Sequence, residues 1–166
     1  MQEAIAALDH TEMDDDGQKY LTFTIGDVTY GFHISRVTEI IGLQRITVVP
    51  DVPHYVKGVI NLRGKVIPLV DVRARVNLPE IDYHDRTCII VVEVGGKSVG
   101  LVVDAVSEVL AIDESQIEPP PDFRAGKTAQ YISGMAKVED SVKVLLDADK
   151  LLAMDDLDTT GRRASA

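Results

Sequence analysis

Hydrophobic and polar residues alternate along several short stretches of this chain, which is typical of β-strands with one buried face. The alternation is clear from Leu21 to Ile25, and a second strand-like run lies around Cys88 to Val94. A glycine turn signal follows each run, at Gly26-Asp27 and at Gly95-Gly96. Short strands joined by glycine turns predict a mainly β fold made of small barrels or sandwiches.

One later stretch, KGVINLRGKVIPLVD (residues 57–71), predicts two strands joined by a tight turn. Its apolar runs flank the short polar segment 61–64, which contains Arg63 and Gly64. An arginine in such a turn has two interpretations. It is either a solvated residue whose stem packs on a strand, or a planar donor that binds a partner's carboxylate or carbonyl groups.

The chain contains an internal duplication. Residues 20–41 correspond to residues 88–112 at a shift of 69, and residues 55–71 correspond to residues 131–147 at a shift of 76. The difference between the two shifts reflects an insertion around 113–130, where three consecutive prolines predict a rigid loop. The sequence therefore predicts one supersecondary unit used twice.

The duplication singles out Arg63, because its counterpart in the second copy is Glu139. A requirement of the fold would act on both copies, so the difference favours a role toward a partner. Glu39 also has two interpretations. It is either a surface carboxylate on an otherwise apolar segment, or a contact to a partner's polar group beside apolar contacts from Val37 and Ile40.

Short helices are predicted where an aspartate follows a strand. Asp71 and Asp147 are suitable N-caps for helices over residues 72–76 and 148–157. Residues 34–41 have apolar positions that fit either a short helix or an irregular strand.

The predicted organisation has a mobile segment at each end and two barrels between them. The boundaries are a mobile segment over 1–18, a first barrel over 19–80, a second barrel with its short C-terminal helix over 81–153, with the helix reaching about 157, and a mobile tail over 158–166. The two barrels form one domain.

Composition excludes several functional classes. The net charge of −10 leaves no basic surface for nucleic acid, and no apolar run is long enough for insertion into a membrane. The single cysteine, Cys88, lies among apolar residues and predicts a buried thiol. With no signal segment apparent, the sequence predicts a cytoplasmic protein.

No catalytic or cofactor motif stands out. Gly96-Lys97-Ser98 and Gly126-Lys127-Thr128 resemble part of a phosphate-binding loop, but both lack the earlier glycine that this motif requires. The four histidines are scattered without metal-ligand spacing. We therefore expect no metal, no cofactor and no enzymatic activity.

Several segments together resemble the CheW family of bacterial chemotaxis adaptors. They are GDVTYGFHISRVTEIIG, VPDVPHYVKGVINLRGKVIPLVDVRARV, VGLVVDAVSEVLAI and YISGMAKVEDSVKVLLDADKLL, which cover roughly residues 19–152. The resemblance implies two SH3-like five-stranded barrels and a non-enzymatic adaptor that couples chemoreceptors (methyl-accepting chemotaxis proteins) to the histidine kinase CheA. It also implies recruitment to receptor clusters at the membrane.

The resemblance also implies particular contacts. The cytoplasmic tip of the receptor's helical hairpin would lie in a groove that includes Val37, Glu39, Gly58, Arg63 and Val109, with Gly58 allowing close approach. The regulatory domain of the kinase would contact Phe123, Ile46 and Val66. Glu118 stands where relatives often carry a basic residue, which leaves the polar part of the Phe123 contact without its usual charge.

Three functional interpretations remain at this point. The first is a stand-alone adaptor, which a start at Met1 and a polar tail favour. The second is a CheW-like regulatory domain of a larger kinase, or of an adaptor fused to a receiver domain. The third, from another class, is a small nucleotide-binding enzyme that uses Gly96-Lys97-Ser98 or Gly126-Lys127-Thr128.

Overall fold

The computed structural model describes residues 18–120 and 131–152, and within them strands predominate. The strands are β1 (Gln18–Ile25), β2 (Val28–His33), β3 (Val37–Gly42), β4 (Val56–Leu62), β5 (Lys65–Asp71), β6 (Cys88–Val94), β7 (Lys97–Val103), β8 (Ala105–Ile112), β9 (Ile117–Glu118), β10 (Ile132–Val138) and β11 (Ser141–Leu146). The short helices are α1 (Val72–Arg75) and α2 (Ala148–Leu152), with 3-10 turns η1 (Ile34–Arg36) and η2 (Glu114–Gln116).

The predicted mainly β class is confirmed. Gln18 already belongs to β1, and the rest of the predicted mobile segments lies outside the described residues.

The strands form two sheets. One has the order β8-β1-β2-β11-β10-β9 and the other has the order β3-β6-β7-β5-β4. Each sheet therefore contains strands from both halves of the chain. This corrects the predicted division into one barrel over 19–80 and another over 81–153, because the two halves exchange their first hairpins.

The exchange preserves the duplication in detail. Leu21 of β1 pairs with Val109 of β8, and Ile40 of β3 pairs with Ile90 of β6. A shift of 69 residues carries the first pair onto the second, and the register irregularities in the two pairings coincide as well. The parallel contacts of β11 with β2 and of β5 with β7 are equivalent in the same way. The two sheets are thus two copies of one arrangement.

The hydrophobic core explains why β6 is apolar at almost every position. Ile90 and Val92 belong to the main cluster, which also contains Leu21 and Phe23 of the other sheet. Ile89 and Val91, on the opposite face of β6, belong to a separate cluster inside the five-stranded sheet. A strand that is buried on both faces needs hydrophobic residues at consecutive positions.

The predicted helix starts are confirmed. The carboxylate of Asp71 accepts a hydrogen bond from the backbone N–H of Ala74 at 3.3 Å, and that of Asp147 accepts one from Lys150 at 3.0 Å. Residues 34–41, for which the sequence allowed either a short helix or an irregular strand, contain both. The short helical turn η1 leads directly into the strand β3. Cys88 is buried, as predicted.

Candidate functional site

Glu39 and Arg63 lie next to each other and form an ion pair between Oε2 of Glu39 and Nη2 of Arg63. Arg63 lies at the tip of the β4–β5 hairpin, where Arg63 and Gly64 have φ values of +52° and +85°. Two consecutive residues with positive φ are typical of the tight turns that suit a twisted hairpin. Asn61 Oδ1 accepts a hydrogen bond from the Gly64 N–H at 2.8 Å, which helps to fix this turn.

This ion pair shows that the five-stranded sheet curves on itself. Glu39 is on β3 at one edge, and Arg63 belongs to the hairpin at the other edge. In a flat sheet, β3 and β5 would lie at least about 14 Å apart, because neighbouring strands are about 4.8 Å apart. The two side chains meet only because the edges approach each other, as in a barrel.

Arg63 makes the pair accessible to solvent, with 68% of its side chain exposed, whereas only 27% of the Glu39 side chain is exposed. Exposed ion pairs contribute at most about 1 kcal/mol to stability. A partner can therefore take over the guanidinium or the carboxylate at small cost.

Val37 and Val109 contribute apolar surface from two different sheets. Both are half-buried and pack against the main core cluster. Val37 pairs with Val92 across β3 and β6, whereas Val109 pairs with Leu21 across β8 and β1. The two valines are not equivalent under the duplication, since the counterpart of Val109 is Ile40.

Gly58 has a role within the chain. It is buried, its φ is +143°, and a Cβ atom there would overlap the carbonyl oxygen of Thr47 and lie 2.9 Å from Cγ2 of Ile46. Thr47 and Val59 hydrogen-bond reciprocally at 2.9 Å, so the segment before β4 lies against that strand. The missing side chain thus admits Thr47, and the assignment of Gly58 to the receptor-binding groove stays a prediction.

The residues predicted to contact the kinase differ in exposure. Val66 is 66% exposed. Ile46 is half-buried and packs against the cluster inside the five-stranded sheet. Phe123 lies outside the described residues. Glu118, the acidic residue noted in the sequence, forms an ion pair with Lys137 at 2.6 Å.

The structure does not support a phosphate-binding loop at Gly96-Lys97-Ser98. Gly95 and Gly96 form the β6–β7 turn, and Lys97 begins a strand, whereas this motif requires a helix. The second candidate, Gly126-Lys127-Thr128, lies outside the described residues. Within residues 18–120 and 131–152, no group of three or more His, Cys, Asp or Glu residues is arranged to hold a metal ion.

Sequence reasoning missed two arginines of α1 that link distant segments. Arg73 forms a two-pronged ion pair with Asp104, with the shorter contact at 2.8 Å. Burial alone would raise the pKa of Asp104, but hydrogen bonds from Arg73 and the Gly26 N–H hold that pKa below its usual value. The guanidinium of Arg75 lies over the rings of Tyr55 and Tyr131, 4.9 and 4.4 Å from their centroids. No spacing motif connects these residues in the sequence.

Comparisons with known proteins agree with the resemblance. The sequence profile of the CheW-like domain matches residues 19–156. The chain is 36% identical over 141 residues to the chemotaxis protein CheW of Klebsiella aerogenes, covering 85% of each protein. It is 36% identical over 136 residues to the chemotaxis protein CheW of Bacillus subtilis, covering 82% of this chain and 87% of that one.

A solved structure shows the same fold. The crystal structure of the scaffolding protein TtCheW from Thermoanaerobacter tengcongensis superimposes with a TM-score of 0.79 at 35% identity, covering 85% of this chain and 96% of that one. None of the helices among the described residues has the length and apolar character needed to cross a membrane. With this match in sequence and in structure, the chain belongs to the family of CheW-like domains.

Proposed function

We propose that this protein is a non-enzymatic adaptor that couples chemoreceptors to the histidine kinase CheA. The observation that carries this proposal is the family match over residues 19–156, together with relatives that are chemotaxis proteins. In this function the protein works on the cytoplasmic side of the membrane and is recruited there to receptor clusters. Catalysis is not part of the proposal.

The receptor-binding surface is proposed to contain Val37, Glu39, Arg63 and Val109. A helical hairpin that lies in a groove needs apolar walls and a few oriented polar groups. The half-buried valines supply apolar surface on two sheets, and the Glu39–Arg63 pair supplies opposite charges in fixed positions. Gly58 contributes indirectly, because it lets the segment with Thr47 pack against β4, the strand that leads to Arg63.

The kinase-binding surface is proposed to be separate and to contain Val66, Ile46 and Phe123. The exposure of Val66 supports this assignment, since an isolated apolar side chain in water gains by being covered. Ile46 contributes less directly, because part of its side chain already packs inside the five-stranded sheet.

The role of Arg63 provides the test. We expect Arg63→Ala to weaken binding to a receptor hairpin fragment by about 1–3 kcal/mol, because charge-assisted bonds at the centre of an interface are lost. Stability should change by about 1 kcal/mol or less, since the ion pair is exposed. Isothermal titration calorimetry with the receptor fragment and with the kinase regulatory domain, together with urea unfolding, measures all three quantities.

Two variants serve as controls for this test. Arg63→Lys should restore binding only in part, because a point charge lacks the planar fork of donors. Glu139→Ala alters the equivalent turn of the second copy, where φ is +56°, and should leave receptor binding unchanged. Equal weakening of receptor and kinase binding by Arg63→Ala would contradict the assignment.

A further inference from the structure

Three segments that are distant in the sequence meet at the carboxylate of Asp104. Its Oδ1 accepts a hydrogen bond from Nε of Arg73 at 3.0 Å. Its Oδ2 accepts one from Nη2 of Arg73 and one from the backbone N–H of Gly26, each at 2.8 Å. Nη1 of Arg73 donates to the carbonyl of Pro79 at 2.8 Å. We call this set of contacts the Asp104 clamp.

The clamp lies where the chain passes from one sheet to the other. Asp104 is the single residue between β7 of the five-stranded sheet and β8 of the six-stranded sheet. Gly26 lies in the β1–β2 turn of the six-stranded sheet, and Arg73 is in α1, which directly follows β5 of the five-stranded sheet. The contacts therefore connect the two sheets at one corner.

The clamp is shielded from solvent. The Arg73 and Asp104 side chains are 13% and 17% exposed. In the duplication, the residue equivalent to Arg73 is Asp149, which forms an ion pair with Arg36 at the corresponding corner. That pair is more exposed, with 34% of the Arg36 side chain and 59% of the Asp149 side chain accessible to solvent. Shielded, two-pronged pairs are stronger than exposed ones, so one corner is held more firmly than the other.

The clamp is adjacent to a cleft between β3 and β8, the two strands that carry the valines of the proposed receptor-binding surface. A cleft of about 420 Å³ is lined by Gly42 and Leu43 at the end of β3, by Ala105 and Val106 at the start of β8, and by residues 84–87. Asp104 immediately precedes this part of β8, and the same strand carries Val109. Asp104 therefore lies beside the cleft between the end of β3 and the start of β8.

We propose that Arg73 and Asp104 are positioning residues that hold β8 against the five-stranded sheet and thereby set the spacing between β3 and β8 for receptor binding. This inference rests on the proposed function for its consequence, but the spacing itself can be measured without any partner. The two residues need not touch the receptor.

Spin labels on β3 and β8 test the spacing. Thr38 and Ser107 are exposed and suit labelling through introduced cysteines, while the chain's one natural cysteine, Cys88, is buried. We expect a narrow distance distribution in the otherwise unchanged protein and a broader or shifted one with Asp104→Asn. With Asp149→Asn, at the exposed corner, the distribution should stay as it is.

Binding of the receptor hairpin fragment is then measured by titration with the same Asp104→Asn and Asp149→Asn variants, without spin labels. Asp104→Asn should weaken binding by about 3- to 30-fold, in the range that residues without direct ligand contact can produce, and Asp149→Asn should not. A destabilised control, Leu145→Ala, opens a cavity in the cluster of Ile112, Ala136 and Leu145. The Leu145→Ala protein should be less stable but should keep the same distance distribution. This control distinguishes a loss of positioning by Arg73 and Asp104 from a general loss of stability.

Further variants keep the test decisive. If Asp104→Asn does not fold, Arg73→Lys retains the charge but loses the two-pronged geometry, and it should broaden the distribution and weaken binding. Unchanged distances and affinity in a folded Asp104→Asn or Arg73→Lys protein would overturn the proposal. If the protein with Arg73 and Asp104 intact does not bind the receptor fragment, the proposed function fails, and the distance measurement still decides on the clamp.

Discussion

We expect Gly58→Ala to lower the free energy of unfolding by about 2–5 kcal/mol, because it combines steric overlap with an unfavourable backbone conformation. The new methyl group would overlap the carbonyl oxygen of Thr47, which is backbone and cannot rotate away, and φ is +143°. Urea unfolding followed by circular dichroism measures this loss. A partner-contact role alone would leave stability unchanged.

Two other glycines provide matched controls for this prediction. Gly64 has a φ of +85° but no atom within 4 Å of its missing Cβ, so Gly64→Ala should cost only the backbone component, about 1–2 kcal/mol. Gly134, the counterpart of Gly58, would meet Cγ2 of Ile117 at 2.7 Å, and a side chain can shift more easily than backbone. Gly134→Ala should therefore cost less than Gly58→Ala. A Gly58→Ala protein as stable as Gly64→Ala would refute the packing explanation.

We expect Arg75→Leu to destabilise the protein by about 2–4 kcal/mol and to loosen α2. The guanidinium lies over the rings of Tyr55 and Tyr131, and its Nε donates to the carbonyl of Leu151 at 3.0 Å. Cation–π contacts contribute about 0.5–2 kcal/mol each and hydrogen bonds from charged donors about 1.5–3 kcal/mol. The apolar contacts of leucine offset part of this loss. Leucine retains apolar volume but none of these interactions.

Hydrogen exchange distinguishes this effect from a uniform loss of stability. Arg75→Leu should accelerate exchange in α2 more than in β6, because only α2 loses a direct partner. Arg86→Leu, at an exposed position, should change neither stability nor exchange. If exchange in α2 and β6 accelerates by the same factor, Arg75 does not anchor α2 specifically.

Local features of the fold could be predicted from the sequence because local physics determines them. The alternation around Leu21 to Ile25 places one side of β1 in the core, and Asp71 and Asp147 cap helices in the way their positions suggested. The duplication also predicted that β1–β2 and β6–β7 would be equivalent hairpins, as the registers show.

The exchange of hairpins between the two halves could not be predicted in the same way. Because the two copies share one hydrophobic pattern, β1–β2 can pair with the later strands of either copy with the same alternation of buried and exposed positions. The observed pairings of β1 with β8 and of β3 with β6 are long-range choices that no local signal encodes.

The candidate site shows the same limit. Glu39 and Arg63 were each singled out in the sequence, but their contact depends on the curvature of a sheet whose edges they occupy. The sequence predicted a close approach to Gly58, yet the Thr47 carbonyl oxygen that lies there becomes apparent only from the pairing of Thr47 with Val59.

We expect one copy of this protein to bind a chemoreceptor and the kinase CheA at the same time through separate surfaces. Sedimentation velocity on a mixture of the protein, a receptor hairpin fragment and the kinase regulatory domain measures whether all three associate. We predict a ternary complex that is larger than either binary complex. With Arg63→Ala, the receptor fragment should dissociate from this complex while the kinase domain stays bound. Binding of neither component, or displacement of one by the other, would contradict the claim.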